Sequence, residues 1–433
     1  MLIDYFFSKE MLRLELIQAK EEGKDTSGIE ENLDGEKALA ALDELQKRTL
    51  KPDYPYVEPD SLGAILKERP QTKKLKGFNL NDDQLLDRLS GSWLGRAAGC
   101  WLGKPWEGFG MQKGRQGIKA LLQEANRYPM NSYIDFDYDD DFMQRHGLDP
   151  SLKNYHYREF DGMPEDDDLN YTVIGLDIVK RHGHDFTSDN VANTWMYQLP
   201  VLHTYTAERV AYRNFLNLIS PPESGFYRNP YREWIGAQIR ADFWGYIAPG
   251  NPELAAEYAY RDACISHTKN GIYGEMFVAA AIAAAFVTDS LEEIIEAGLG
   301  QIPKNCRLAA AIHDLLNYAQ QETDFEKGLD FIWQKYGSYN PVHTINNALI
   351  VVAGLIYGQK DFSKTISIAV MGGWDTDCNG ATAGSILGTM LGANKIPAKW
   401  KEPINDTLHT GVQGYNKVKI SDLAKETFKL IKK

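Results

Sequence analysis

The chain has 433 residues, of which 43% are hydrophobic and 25% charged, and its formal net charge is −13. This composition can fill a large core, and the excess of acid disfavours nucleic acid or an anionic membrane surface as partner. Cys100, Cys264, Cys306 and Cys378 are scattered without CxxC or Cys/His spacing, which argues against a zinc site or a disulfide framework.

The first residues lack a basic region and soon meet Lys9 and Glu10, unlike a secretory leader, so a cytoplasmic protein is expected. Residues 1–80 read as an N-terminal helical extension. It carries amphipathic stretches at 11–20 and 37–48, a connector at Lys51-Pro52-Asp53-Tyr54-Pro55-Tyr56 and a basic patch at 73–76. From residue 81 to 433 a single all-α globule is predicted. Apolar residues recur at helical spacing over 85–103, 169–180, 190–197, 207–218, 252–266, 273–287, 290–298, 307–320, 344–357, 365–371, 381–391 and 421–431. Strand-like alternation is nearly absent, and there is no fixed repeat period. The alanine-rich run 271–287 contains Glu275 and is too short to span a membrane, so it reads as a buried central helix. The long segment 123–163 carries Asp135, Asp137, Asp139, Asp140 and Asp141 and is a candidate lid or a solvated acidic insertion.

Two glycine ridges stand out. Gly91, Gly95, Gly99 and Gly103 recur every fourth residue, and so do Gly380, Gly384, Gly388 and Gly392. Residues four apart share a helix face, and each glycine within a helix costs about 1 kcal/mol against alanine. Close approach of a neighbouring helix along each bare ridge accounts for that cost. If the two helices pair antiparallel, Glu107 of Lys104-Pro105-Trp106-Glu107 comes close to Asp375 and Asp377.

Two acid-rich segments complete the pattern. Pro164-Glu165-Asp166-Asp167-Asp168 opens one helix, and Gly372-Gly373-Trp374-Asp375-Thr376-Asp377-Cys378 opens another. N-capping and the helix dipole explain one or two such acids but not four in a row. Hard divalent cations favour oxygen donors of this kind, so the two segments are expected to meet and hold metal. Weaker candidates are His267, His343, Asn346 and Asn347 for the substrate pocket. The aromatic run 242–246 can stack a ring or simply fill core. Cys378 lacks a basic partner nearby in sequence that would make it a nucleophile.

These segments resemble the ADP-ribosylglycohydrolase superfamily. Its glycine-rich helix ending in Gly-x-Pro-x-Glu matches Gly91 to Glu107, its Ser/Thr-Asp-Asp-Thr motif matches Glu165 to Asp168, and its Gly-Gly-Asp-x-Asp-Ser/Thr motif matches Gly372 onward. The chain departs from those motifs at Glu165, Asp168, Cys378 and the inserted Trp374. The resemblance implies an all-α fold with two divalent cations, Mg²⁺ or Mn²⁺. It implies Glu165, Asp166, Asp167, Asp375, Asp377 and Cys378 at metal-ligand positions, and Glu107, Asp167 and Asp375 as catalytic residues. His267, His343, Asn346 and Trp374 would then contact a small sugar or nucleotide-like substrate. The expected reaction is metal-dependent hydrolysis of a glycosidic bond at a ribosyl or related sugar, in an ADP-ribosyl conjugate, a nucleoside or a small glycoside. Two rival readings are a non-catalytic sugar- or nucleotide-binding member of the same fold and an all-α, Mg²⁺-dependent prenyl or terpene synthase. The latter usually spaces its acids at i, i+4, which Asp375 and Asp377 do not.

Overall fold

In the computed structural model, which describes residues 6–71, 75, 77–134, 139–148 and 161–432, the N-terminal extension supplies α1 (Ser8–Glu21), α2 (Gly35–Lys47) and α3 (Leu62–Glu68). The body begins with α4 (Asp82–Gly103), α5 (Glu107–Glu124), α6 (Asp140–His146) and α7 (Asp167–His182). It continues through α8 (Ser188–Gln198), α9 (Thr206–Leu216), α10 (Glu223–Phe226), α11 (Asp242–Tyr246), α12 (Pro252–Ala263), α13 (Lys269–Ala285) and α14 (Leu291–Leu299). It closes with α15 (Arg307–Ala319), α16 (Phe325–Tyr336), α17 (Thr344–Gly358), α18 (Phe362–Met371), α19 (Thr376–Leu391), α20 (Ala398–Lys401) and α21 (Ile420–Ile431). Among the described residues the sheet content is one antiparallel hairpin, β1 (Thr407–His409) with β2 (Lys417–Lys419), so the all-α class holds. No helix of the described residues is long and apolar enough to cross a membrane.

Helix α13 is the predicted central helix, buried from Asn270 to its end, with its one acid, Glu275, facing Arg240 at 3.6 Å. The aromatic run of α11 is core: Phe243, Trp244 and Tyr246 are all buried. Two of the longer helices were not legible, and the short α3, α6, α10, α11 and α20 were not either. In α5 the glycines 108, 110, 114 and 117 break the apolar rhythm, and Gly114 kinks the helix at φ +64° because Trp333 leaves no room for a side chain. Helix α16 buries only Gly328, Leu329 and Ile332 on its inner face. Of the acidic segment, Asp139 caps α6 by accepting from the Phe142 N–H at 2.6 Å, while Asp135 and Asp137 lie outside the described residues, as do Lys73, Lys74 and Lys76 of the basic patch.

The two glycine ridges pack on each other. A Cβ on Gly91, Gly95, Gly99 or Gly103 would fall within 3.0 Å of backbone atoms at Gly388, Gly384, Gly380 or Thr376 respectively. The pairing runs in opposite directions along the two helices, so they are antiparallel. The bare backbones approach closely, with hydroxyls closing the gaps: Ser92 Oγ lies 2.7 Å from Thr389 Oγ1, and Thr376 Oγ1 donates to the Gly103 carbonyl at 2.8 Å.

The extension is tied to the body mostly through buried polar groups. Helices α1 and α2 share a small core of their own around Leu12, Leu16, Leu42 and Leu45. Leu14 packs instead on Ala207, Val210 and Tyr231 of the body. The buried Arg232 guanidinium donates to Glu15 at 2.6 and 2.9 Å and to Glu22 at 2.7 Å. Gln18 donates to Glu233 at 2.6 Å, and Arg307 bridges Glu233 and the extension's Glu58.

Gly99→Ala is expected to destabilise the protein by about 3 kcal/mol or more, because the clash is with backbone that cannot give way. Gly63→Ala, whose Cβ meets nothing within 4 Å, should change stability by less than about 1 kcal/mol. Arg232→Ala should cost about 3–5 kcal/mol by leaving Glu15 buried without its guanidinium and Glu22 with only the longer contacts to Lys24 and Lys269. Chemical denaturation of the three variants checks all of this.

Candidate functional site

Antiparallel packing of α4 on α19 brings the C-terminal end of one to the N-terminal end of the other. Beyond Gly103 the chain makes a 3₁₀ turn, Lys104–Trp106, set by Pro105, and Glu107 opens α5. Helix α7 is docked onto the same place by Arg96 of α4. Its guanidinium donates to the Thr172 hydroxyl at 2.7 Å and pairs with the Asp168 carboxylate at 3.0 Å, all of it buried. Asp166 is the N-cap of α7 and accepts from the Asp168 N–H at 3.0 Å.

The entry to α19 is bent by two left-handed residues, Gly373 at φ +78° and Trp374 at φ +57°. The strain at Trp374 is offset by stacking on Trp333, with ring centroids 4.2 Å apart, while Trp333 Nε1–H donates to the Gly372 carbonyl at 2.8 Å. Asn347 of α17 holds the bend from behind. Its Oδ1 accepts from the Asp375 N–H at 3.3 Å and from Asn379 Nδ2 at 2.8 Å, and its amide donates to the carbonyls of Pro341 and His343.

Acids from these elements converge. Ligand atoms of Glu107, Asp375 and Asp377 lie within 4.8 Å of one another, and the same holds for Asp168, Asp377 and Cys378 and for Cys100, Asp166 and Asp168. Lys104 stands among them. Its Nζ is 2.8 Å from Asp166 Oδ2, 2.9 Å from Glu107 Oε2 and 3.2 Å from Asp377 Oδ2.

The electrostatics follow from burial and crowding. Burial, and then the neighbouring Glu107, push Asp375 up to about 7 and raise Asp377 well above the carboxylate range. Burial and the adjacent Asp166 do the same to Asp167. For Asp166 burial works upward, but Lys104 beside it outweighs that and holds the carboxyl low. Burial works against the Lys104 ammonium, yet Asp166, Asp377 and Glu107 keep it charged far up the pH scale.

Asp377 Oδ1 and Asp168 Oδ2 are buried without a hydrogen-bond partner. A buried carboxylate oxygen left bare is costly unless a cation meets it. With carboxylates crowded at this spacing, the donor set fits a hard divalent cation. The thiols of Cys100 and Cys378 are pushed up by burial and stay protonated, which makes them poor partners for such an ion.

Several residues singled out from the sequence lie elsewhere. Glu165 is turned outward, where its carboxylate takes His203 Nδ1 and the Asn170 amide, so the geometry does not bring it to the cluster. Its neighbour Asp168, left out of the expected ligand set, falls in two of the close groups. His343 is the buried N-cap of α17. Its Nδ1 accepts from the Ile345 N–H, its Nε2 faces the extension's Glu21 at 3.7 Å, and burial pulls its pKa down to about 3. His267 is buried against Ser266 Oγ at 2.8 Å, and Asn346 donates to the Asn340 carbonyl at 3.1 Å. Neither histidine, nor Asn346 or Trp374, is among the described residues lining the cavity.

That cavity has a volume of about 690 Å³, within the usual range for small-ligand sites. Glu107, Asp167, Asp375, Asp377 and Cys378 lie on its acid side, and Tyr205, Tyr231 and Trp234 add aromatic wall. Glu10, Arg13 and Leu14 of α1 also line it. Two contributors had weak sequence signals. Lys104 lies three residues before Glu107, a spacing that lets the two side chains meet, but a lone lysine at a helix end carries no signal that it turns inward. The α1 residues reach the cavity only by long-range docking.

The family model described as ADP-ribosylglycohydrolase matches residues 81–433, and the chain belongs to that family. A solved structure described as an ADP-ribosylglycohydrolase-related protein complex aligns with 81% of this chain and 99% of its own, at 16% identity and a TM-score of 0.49. No curated protein matches the chain.

Mn²⁺ or Mg²⁺ at about 100 times its dissociation constant is expected to stabilise the fold by about 2.7 kcal/mol. Asp377→Asn, which weakens two of the three donor groups at once, should remove most of that gain. Thermal unfolding with and without metal measures it.

Proposed function

We propose that this protein is a hydrolase that cleaves a glycosidic bond at the anomeric carbon of a ribosyl or related sugar, assisted by Mg²⁺ or Mn²⁺ held within the acid cluster of Asp166, Asp167, Asp168, Asp375 and Asp377. The observation that carries this reading is the convergence of carboxylates from α4–α5, α7 and α19 on one wall of a cavity sized for a small ligand, with bare oxygens left among them. Family membership supports the reaction class. The same convergence speaks against the prenyl or terpene synthase reading, since the acids sit at helix starts rather than along one helix face.

A divalent cation bound there supplies Lewis-acid polarisation of an oxygen of sugar or water. The chain's own groups do the rest. Glu107 is partly exposed at the cavity and is the carboxylate suited to take a proton from an attacking water. Asp167 lines the same wall and, once a bound cation offsets the crowding that favours its neutral form, would offer negative charge to a sugar whose anomeric carbon becomes electron-poor as the bond breaks. Asn347 keeps the Asp375 backbone in register through the N–H contact, so Asp375 and Asp377 are presented together. The aromatic wall of Tyr205 and Trp234 gives a flat surface for a sugar or base and keeps water from part of the cavity. Arg13, paired with Glu10, is the lining cation outside the acid cluster and suits an anionic substituent on the substrate.

A panel of ribosides, ADP-ribosyl conjugates and simple glycosides, scored for release of reducing sugar, tests the reading. Turnover of at least one probe is expected, lost in EDTA and restored by Mn²⁺ or Mg²⁺. Asp375→Ala should lower kcat/KM by roughly 10³-fold, about 4 kcal/mol of barrier. Full turnover in EDTA would contradict the metal assignment, and no turnover of any probe would contradict the reaction class.

A further inference from the structure

Lys104 holds an unusual position for a lysine. A cation at the C-terminal end of a helix such as α4 normally reaches into solvent and gains a little from the helix dipole. Here the side chain is turned inward and is only 21% exposed. Its Nζ lies within 3.2 Å of three carboxylates delivered by three different elements: Glu107 at the start of α5, Asp166 at the cap of α7 and Asp377 in the first turn of α19. An ammonium at the centre of three oxygens from separate segments has the surroundings of a bound cation rather than of a surface pair.

Five of the cluster's oxygens divide into two sets. Asp166 Oδ2, Glu107 Oε2 and Asp377 Oδ2 are engaged by Lys104. Asp377 Oδ1 and Asp168 Oδ2 are buried and accept no hydrogen bond, and neither is the atom that Lys104 or Arg96 contacts most closely. Asp168 and Asp377 also belong to one close group, with ligand atoms within 4.8 Å. Asp377 therefore divides its two oxygens between the ammonium and a second, unsatisfied position. The contact of Arg96 to Asp168 is made at Oδ1, at 3.0 Å.

We propose that Lys104 is a resident cation of the acid cluster, filling one of its two cation positions, so that the protein binds one divalent ion per chain beside it rather than two. This rests on the metal-assisted reading above. The two positions share the Asp377 carboxylate. The Gly103–Pro105 turn carries Lys104 into the cluster, and the α4–α19 contact fixes that turn against Thr376.

Mn²⁺ binding to the full chain tests the proposal. Stoichiometry is measured by isothermal titration and by elemental analysis after dialysis, and paramagnetic resonance separates isolated from coupled Mn²⁺. The native protein is expected to bind one Mn²⁺ with the spectrum of an isolated ion. Lys104→Met, which keeps the length of the side chain and removes the charge, should bind two and show the spectrum of a coupled pair. Lys104→Arg, which keeps the charge, should bind one. Two ions in the native protein, or one ion in both the native protein and Lys104→Met, would overturn the resident-cation inference and leave the metal-assisted reading intact. No ion in any of the three would overturn both. The native measurement stands alone if a variant fails to fold.

Discussion

The site depends on the contact between α4 and α19. Eight glycines strip side chains from facing ridges, and the two backbones come close enough that an added methyl on α4 would meet carbonyl groups of α19. Such a contact allows little sliding or rotation, because interiors packed at this density have no slack. It fixes where α4 ends and α19 begins. Glu107, Lys104, Asp375 and Asp377 owe their proximity to it, and Arg96, from the same helix, brings α7 and its acids to the same place.

Around this frame charge is balanced locally and under burial. Arg96 pairs with Asp168 at 3.0 Å and with Asp242 at 2.8 Å. Deeper in, Arg240 is shared among Glu208, Asp262 and Glu275, and burial raises all three acids. Glu208 also lines the cavity, so this second network supports the wall from behind. The extension is held by a third, in which Arg232 and Arg307 gather Glu15, Glu22, Glu58 and Glu233. Ionic networks of this kind add little net stability over apolar packing but are costly to break, which makes them better at fixing geometry than at adding stability. One result is that α1, which precedes the matched family region, supplies part of the cavity wall.

Legibility followed the range of the forces. Helices with an uninterrupted apolar face were readable. Helix α5 was hidden by its glycines and α16 by its narrow inner face. The Asp-rich segments were readable as helix starts; the glycine ridges placed Glu107 beside Asp375 and Asp377, while the meeting of the two acid segments was expected from the need of so many acids for a cation. The direction in which each acid points was not readable: Glu165 and Asp168 flank the same pair, yet one turns out to His203 and the other in to Arg96. His343 and His267 are polar residues before helices, a pattern shared by pocket and scaffold, and the structure places both buried among other polar groups and outside the lining of the cavity.

The sequence by itself determined the all-α class, the two facing ridges and the gathering of acid at the ends of particular helices. Those properties come from local spacing and from what a missing side chain permits, and they need no knowledge of distant partners. Only the tertiary structure decided that Lys104 enters the cluster, that Glu165 leaves it, and that α1 closes part of the cavity. These depend on which long-range neighbour reaches a charged or exposed group first, a competition among residues up to hundreds of positions apart that no local pattern encodes.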